Sequence, residues 1–158
     1  MDTLSHALWG KGFFGYRKYR WASYLFGAIP DLLSFGVYGV FSFIKNPLNI
    51  SFGPPDISTI PLWVFSLYDF SHSLIIATFF LLFLFKVNKD IFFPALAWPL
   101  HIALDFFTHS LEYFPTPIFW PVSDYRFDGI PWSSPFIIIA NIAVIFFIFV
   151  YRKNRTLR

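Results

Sequence analysis

The sequence predicts an all-α protein that lies in a membrane, and three observations support this. Of its 158 residues, 56% are hydrophobic and only 13% are charged, whereas soluble domains carry about 25% charged residues. Four apolar runs approach the length of about 20 residues that a helix needs to cross a bilayer. Polar or proline-rich stretches separate these runs. We therefore predict a polytopic membrane helix bundle with about four transmembrane helices, in a single domain.

The predicted spans cover residues 21–44, 61–85, 91–110 and 135–151. Residues 2–16 are apolar but too short to span, and we expect a re-entrant or interfacial helix there, because Asp2 and Thr3 both cap helix N-termini well. Pro30 should kink or break the first span, since proline removes a helical hydrogen bond. Asp31 would then begin a second half-helix, where exposed N–H groups favour an anion.

The remaining elements follow from the same patterns. Residues 45–60 and 112–134 are rich in proline and are predicted as loops, and residues 86–90 form a short polar turn. Pro94 and Pro99 predict kinks in the third span. The fourth span is apolar except for Asn141. The chain has no cysteine, which excludes disulfides and cysteine-based zinc sites.

Lysine and arginine are distributed unequally between the two predicted sides of the membrane. One side carries ten (Lys11, Arg17, Lys18, Arg20, Lys86, Lys89, Arg152, Lys153, Arg155 and Arg158) and the other carries two (Lys45 and Arg126). Because cytoplasmic segments are enriched in these residues, both termini are predicted to be cytoplasmic in a bacterial-type inner membrane. The same rule accounts for the basic residues, so the lipid bilayer is the expected partner and direct nucleic-acid binding is disfavoured. No pattern indicates an oligomeric state.

The third span carries three ionisable side chains at steps of four, His101, Asp105 and His109, which a helix places on one face. Each such group costs about 2.5–3.5 kcal/mol at the centre of a bilayer, which indicates a functional site. His101 and Asp105 would be about 6 Å apart and can share one metal ion. His109 would be about 12 Å from His101, too far to share that ion unless the helix breaks.

Counting residues from the predicted cytoplasmic turns places five polar groups at similar depths. His6 and Asp31 would lie about 18–19 Å from the cytoplasmic end, if the N-terminal helix is re-entrant. His72, His101 and Asp105 would lie at about 20–25 Å. These heights are at or just beyond the midplane of a core about 30 Å thick. Three imidazoles and two carboxylates suit Zn²⁺ best, with Mn²⁺ and Fe²⁺ as alternatives.

Five motifs occur in a fixed order. They are Ser5-His6-Ala-Leu-Trp-Gly10, Ile29-Pro30-Asp31, Ser71-His72-Ser73-Leu74, His101-x-x-x-Asp105-x-x-Thr108 and Phe119-Trp-Pro121-Val-Ser123-Asp124-Tyr-Arg126-Phe127. Over most of residues 1–127 this order resembles the YdjM-like family, the group of LexA-binding or inner-membrane-associated metal-dependent hydrolases. The resemblance implies a helical membrane protein related in ligand pattern to zinc-dependent phospholipases C. It also implies the metal ligands, which would be His6, Asp31, His72, His101 and Asp105.

The chain departs from the family pattern in two places. Leu32 and Leu33 follow the Pro-Asp pair, where members often carry a second acidic residue. Leu67, Tyr68 and Asp69 stand where many members carry a His-Arg pair. Asp69 can substitute as a carboxylate, but the departures weaken the case for a second metal ion.

The predicted function is a membrane-embedded hydrolase that uses metal-activated water to cleave a phosphoester or lipid-like ester. Asp69 or Asp105 would act as the general base, and Arg126 would hold a phosphate through two hydrogen bonds or anchor the chain at the interface. The side chains expected to orient the ligands are Ser71, Ser73, Thr108 and His109.

Two alternatives stay open on the sequence. A metal-ion or proton transporter or channel would use the same histidines and aspartates as a relay, but residues 74–85 and 91–100 contain no ionisable side chain to continue it. A catalytically silent, metal-stapled membrane scaffold would bind another membrane protein. In a scaffold, substitution of the ligands would lower stability and leave no activity to lose.

Overall fold

The computed structural model of the chain describes residues 1–47, 53 and 55–156, without the side chains of 155 and 156. Within these ranges there is no strand, and the α-helices are α1 (Thr3–Phe14), α2 (Ala22–Asp31), α3 (Val37–Lys45), α4 (Leu62–Ser71), α5 (Leu74–Val87), α6 (Lys89–Ala95), α7 (Ala97–Thr108) and α8 (Pro135–Thr156). A π-helical turn, Leu32–Gly36, joins α2 to α3. Part of the predicted 45–60 loop and the end of the basic tail, including Arg158, lie outside the described residues.

Three helical stretches are long and apolar enough to cross a membrane, and a bent pair of helices makes a fourth if the pair is one span. The three stretches are Ala22–Lys45, Lys89–Thr108 and Pro135–Asn154. The bent pair consists of α4 and α5, which meet at 51°. The predicted all-α class is therefore confirmed for the described residues, which hold three, or up to four, helical segments long and apolar enough to cross a membrane.

Of the two effects predicted for Pro30, a kink or a break, the break does not occur. The helix continues through Pro30 to Asp31, and the N–H of Leu32 donates directly to the preceding turn. A π-helical turn follows Asp31, in which the N–H of Val37 donates to the carbonyl of Leu32, five residues back. The chain therefore stays helical from α2 into α3. Asp31 therefore lies inside a continuous helix and not at a new helix N-terminus.

The second span breaks where the sequence predicts a continuous helix. His72 leaves the helical conformation, and Ser73 caps α5 by accepting a hydrogen bond from a backbone N–H of its first turn. The long loop after α7 holds this break. The N–H of Leu74 donates to the carbonyl of Ile118 at 3.0 Å, and the Ser73 hydroxyl donates to the carbonyl of Trp120 at 2.5 Å. His72 is fully buried at the break.

The N-terminal helix α1 packs against α2, α6, α7 and α8. Asp2 caps it as predicted, accepting a backbone hydrogen bond at 2.8 Å. Two glycines allow α1 and α2 to approach closely. A Cβ on Gly10 would lie 2.4 Å from the carbonyl oxygen of Ser23, and one on Gly27 would lie 2.5 Å from the carbonyl oxygen of His6. This close contact buries His6.

The last helix, α8, is joined to α1 through the polar residue of its apolar run. The Asn141 side-chain oxygen accepts a hydrogen bond from the Trp9 indole at 2.7 Å. Its amide donates to the Ser5 hydroxyl at 2.8 Å. Asn141 is therefore a helix-to-helix contact, which explains a polar side chain in this span.

The predicted cytoplasmic segments lie at one end of the bundle. Lys18 donates to Asp90 at 2.6 Å, joining the turn after α1 to the turn before α6, and this hydrogen bond raises the pKa of Lys18. Arg152 of α8 donates to the carbonyl of Phe13 at 2.8 Å. The predicted orientation requires that these basic segments share one end of the bundle. That this end faces the cytoplasm stays a prediction.

Candidate metal centre

Four buried side chains converge at the centre of the bundle. Asp31 comes from α2, His72 from the break between α4 and α5, and His101 and Asp105 from α7. Each offers one possible ligand atom, and the four atoms lie within 4.8 Å of one another. We call these residues the four-residue cluster. The structure thus brings together four of the five residues that the sequence predicts as ligands.

The separations within the cluster fit one small ion. The Nε2 atoms of His72 and His101 are 3.1 Å apart, and Asp105 Oδ2 lies 3.5 and 3.1 Å from them. Asp31 Oδ1 lies 3.6 Å from the first and 3.7 Å from the second. Ligands bound at about 2.0–2.1 Å to a tetrahedral ion would be about 3.3–3.4 Å from one another. All five separations lie close to that value.

The outer nitrogen of each histidine in the cluster is held by a backbone carbonyl. His101 Nδ1 lies 2.7 Å from the carbonyl oxygen of Gly27, and His72 Nδ1 lies 3.2 Å from that of Tyr68. A carbonyl only accepts, so His101 Nδ1 carries the hydrogen, and a neutral His101 presents a lone pair on Nε2. His72 Nδ1 faces both the Tyr68 carbonyl and the Ser71 hydroxyl at 3.0 Å, and a hydroxyl can donate or accept. Carbonyl partners of this kind orient histidine ligands in metal sites.

The carboxylates complete this argument. Asp105 Oδ2 is buried and has no hydrogen-bond partner among the described residues. Asp105 Oδ2 and Asp31 Oδ1 both face the Nε2 atoms of His72 and His101. Buried lone pairs directed at one another repel, and a cation between them removes that repulsion. The residues present therefore fit a metal ion, and the donor set does not by itself identify which one.

His6, the fifth predicted ligand, lies beside the cluster and outside the four-atom group. Its Nε2 is 2.8 Å from Oδ1 of Asp105, the oxygen that is not directed at the cluster. Its ring stacks on His101 with the centroids 3.5 Å apart. The backbone nitrogen of Met1 contacts the same Asp105 oxygen. Asp105 thus links the cluster to α1.

His109 reaches Asp105 because α7 ends before it. The helix stops at Thr108, short of the predicted residue 110, and His109 has an extended backbone (φ −113°, ψ 135°). Its Nε2 lies 3.5 Å from Asp105 Oδ1, and its Nδ1 lies 2.8 Å from the carbonyl oxygen of Phe114. His109 does not belong to the four-atom group, and it contacts Asp105 as the neighbour of a ligand, the position that the sequence predicts for it.

The two remaining predicted catalytic residues pair with each other. Arg126 donates to Asp69 at 2.9 Å and to the carbonyl of Pro115 at 2.7 Å. Their side chains are 29% and 21% exposed. Neither belongs to the buried cluster. The pair ties α4 to the long loop, and both charges are occupied by this contact.

We expect Arg126→Gln to lower the free energy of unfolding by about 1 kcal/mol, because it removes a partly buried ion pair and leaves Asp69 without its partner. A double-mutant cycle with Asp69→Asn should give a coupling energy of about 0.5–3 kcal/mol. Metal content, measured on the same samples, should not change. Loss of metal from Arg126→Gln would contradict a purely structural role for the pair.

The predicted supporting hydroxyls divide into one that contacts a cluster histidine and two that do not. Ser71 Oγ lies 3.0 Å from His72 Nδ1. Ser73 caps α5 and holds the loop. Thr108 donates to the carbonyl of Leu104 in its own helix at 2.9 Å. Of these three predictions, only Ser71 touches a cluster side chain.

Three contributors were not predicted from the sequence. Thr3 donates to Asp31 Oδ2 at 2.8 Å. Tyr68 stacks on His72 with the ring centroids 3.8 Å apart. Helical spacing could have indicated both, since Thr3 precedes His6 by three residues and Tyr68 precedes His72 by four. Gly27 contributes through its carbonyl, for which a side-chain pattern gives no signal.

A cavity of about 220 Å³ lies at the C-terminal end of α7, beside the long loop. Its lining includes His109, Tyr113 and Trp132. His109 also contacts Asp105, so it connects this cavity to the cluster.

Comparison of the chain with protein-family models, curated proteins and solved structures finds no match.

Proposed function

We propose that this protein is a membrane-embedded metal-dependent hydrolase that cleaves a phosphoester or lipid-like ester, as its resemblance to the YdjM-like family implies. The observation that supports this most is the convergence of four buried ligand atoms from three parts of the chain to within 4.8 Å of one another. Two imidazole nitrogens and two carboxylate oxygens suit Zn²⁺, with Mn²⁺ and Fe²⁺ as alternatives. When bound, such an ion polarises an ester and lowers the pKa of a water molecule to about 7.

In this proposal Asp105 orients the site through both of its oxygens. Oδ2 faces the cluster, while Oδ1 is held by His6 Nε2 at 2.8 Å. A buried carboxylate with one oxygen fixed in this way keeps the other directed at the ion. His6 is then a positioning residue for Asp105, and the ligands are Asp31, His72, His101 and Asp105.

We assign the general base to His109 in place of Asp69. The Phe114 carbonyl accepts from its Nδ1, which leaves a lone pair on Nε2. His109 lines the 220 Å³ cavity, and its Nε2 lies 3.5 Å from Asp105 Oδ1 and 3.2 Å from the backbone nitrogen of Met1. In this proposal a group that enters through the cavity displaces the Met1 nitrogen and gives its proton to His109. Asp69 is disfavoured because its carboxylate is bound to Arg126.

The position of the cavity also supports a substrate that arrives from the side of the long loop. Tyr113 and Trp132 line it, and such aromatic side chains are enriched where a membrane meets water. In the other direction, α5 is apolar up to Lys86. If the protein lies in a bacterial-type inner membrane with both termini on the cytoplasmic side, the long loop faces outward. The substrate would then be an ester in the outer leaflet of that membrane or in the compartment outside it.

Hydrolysis of a chromogenic phosphodiester and of phospholipid vesicles by purified, zinc-loaded protein tests the proposal. We expect His109→Gln to lower kcat by about 10²–10⁴-fold, the range of general base catalysis, and to keep the metal. Asp69→Asn is the matched control and should keep both activity and metal. Wild-type protein that binds stoichiometric metal and hydrolyses neither substrate would exclude the hydrolase.

One observation favours a second function, the metal-stapled scaffold. Four protein ligands fill the coordination of a tetrahedral ion, as in closed structural zinc sites. A hydrolase needs an open coordination position for water or substrate. Asp31 Oδ1 is the ligand atom farthest from the two histidine Nε2 atoms, at 3.6 and 3.7 Å. In a hydrolase we therefore expect Asp31 to be the ligand that leaves the ion to open this position. In a scaffold, Asp31→Asn would lower stability and affect no reaction.

A further inference from the structure

A basic groove lies between α1 and the C-terminal part of α8, and none of the four cluster residues lines it. Its volume is about 960 Å³, within the range of about 300–1,000 Å³ that ligand sites occupy. Four cationic side chains line it, those of Lys11, Arg20, Arg152 and Lys153. No acidic side chain is among its lining residues in the part of the chain that the structure describes.

Beside the groove, α1 and α8 approach each other closely at Gly12. A Cβ on Gly12 would lie 2.8 Å from Cγ2 of Ile148, so a larger side chain there would separate the two helices. Beyond this point Arg152 bridges the helices, with its guanidinium on the carbonyl of Phe13 and 4.1 Å over the ring of Tyr16. The cationic wall is therefore held in place by the packing of α1 on α8.

The cations of the groove repel one another. The pKa of Lys11 is lowered, first by burial and then by the positive charges of Arg20 and Arg152. Lys18, on the same end of the bundle, is instead paired with Asp90. An anion in the groove would offset the repulsion among its cations, as Asp90 does for Lys18.

The part of α8 that precedes Arg152 and Lys153 gives the groove an apolar wall. Phe147 is 67% exposed, and Ile148 and Phe149 line the groove with it. The 18-residue apolar core of the span Pro135–Asn154 is not buried by the rest of the protein. A ligand of this groove would therefore contact cations at one end and a long hydrocarbon surface at the other.

We propose that the groove binds one anionic phospholipid, with the phosphate against the four cations and the acyl chains along α8. Basic pockets between helices at a membrane surface bind anionic headgroups in this way. The proposal concerns a site separate from the cluster and does not depend on hydrolysis.

Titration of the full-length protein in detergent with phosphatidylglycerol, followed by native mass spectrometry, tests the proposal. We expect one phosphatidylglycerol to be retained per chain, and phosphatidylcholine to be retained at least about fivefold less. Arg20→Gln combined with Lys153→Gln should weaken retention of phosphatidylglycerol by about fivefold for each cation removed. Both side chains are exposed, so this variant should keep its fold.

The matched control combines Lys86→Gln with Lys89→Gln, which removes the same charge from exposed positions outside the groove. It should retain the lipid as the wild type does. Equal loss in both double variants would overturn the proposal in favour of a diffuse surface charge. Equal retention of the two lipids, or displacement of phosphatidylglycerol by millimolar inorganic phosphate, would also overturn it, the latter in favour of a soluble anion.

Discussion

His101→Ala and Asp105→Asn should each abolish stoichiometric metal binding. We expect the wild type, purified and loaded with zinc, to hold one ion per chain, and each variant to bind it at least about 100-fold more weakly. Removing a group that hydrogen-bonds a metal ligand weakens metal affinity by about 10–100-fold. These variants remove a ligand itself, so we expect a loss of at least the upper value. Elemental analysis and competition with a chromogenic chelator measure the two quantities.

Asp69→Asn is the control for Asp105→Asn, because both change a carboxylate to an amide and only one lies in the cluster. It should keep one ion per chain. A wild type that retains no ion after loading would end the metal hypothesis. Equal loss in the two Asp→Asn variants would point to a general loss of structure, which circular dichroism of the same samples would reveal.

Gly27→Ala should damage both the fold and the site. The added Cβ would lie 2.5 Å from the carbonyl oxygen of His6, so α1 must move away from α2. Overpacking of this kind costs about 1–3 kcal/mol. Alanine keeps the carbonyl of residue 27, which accepts from His101 Nδ1 at 2.7 Å, but movement of α2 would displace it. Loss of such a partner weakens metal affinity by about 10–100-fold, which is the upper limit for this variant. Denaturant unfolding and chelator competition give the two values.

Gly39→Ala is the matched control, since Gly39 also lies in a helix and nothing approaches its Cβ position within 4 Å. Replacing a helical glycine by alanine at an open position stabilises by about 0.5–1 kcal/mol. The two variants should therefore change stability in opposite directions. If Gly27→Ala proves as stable as Gly39→Ala, the close packing of α1 on α2 is wrong.

The helices could be predicted from sequence because hydropathy and bilayer thickness constrain their lengths strongly. The irregularities could not. Pro30 suggested a break, yet a π-helical turn nearby accommodates it. His72 and Ser73 gave no such signal, and their break depends on the carbonyls of Ile118 and Trp120. Those contacts are between residues far apart in sequence, so local pattern does not contain them.

In the candidate site, too, some features could be predicted from the sequence and others could not. Asp31, His72, His101 and Asp105 stood out because ionisable groups are costly in apolar helices. A count of residues gives height along a helix but not rotation about it. It could not show that His6 would meet the outer oxygen of Asp105, nor that Asp69 would face Arg126.

The contacts of α1 have a consequence for how the protein is made. Trp9 and Ser5 bond to Asn141, and His6 bonds to Asp105, both on helices that the ribosome produces later. Synthesis adds about 5–20 residues per second, so α1 waits several seconds for its neighbours. The contacts of α1 with α7 and α8 therefore form late in synthesis, whereas α1 can pack on α2 much earlier.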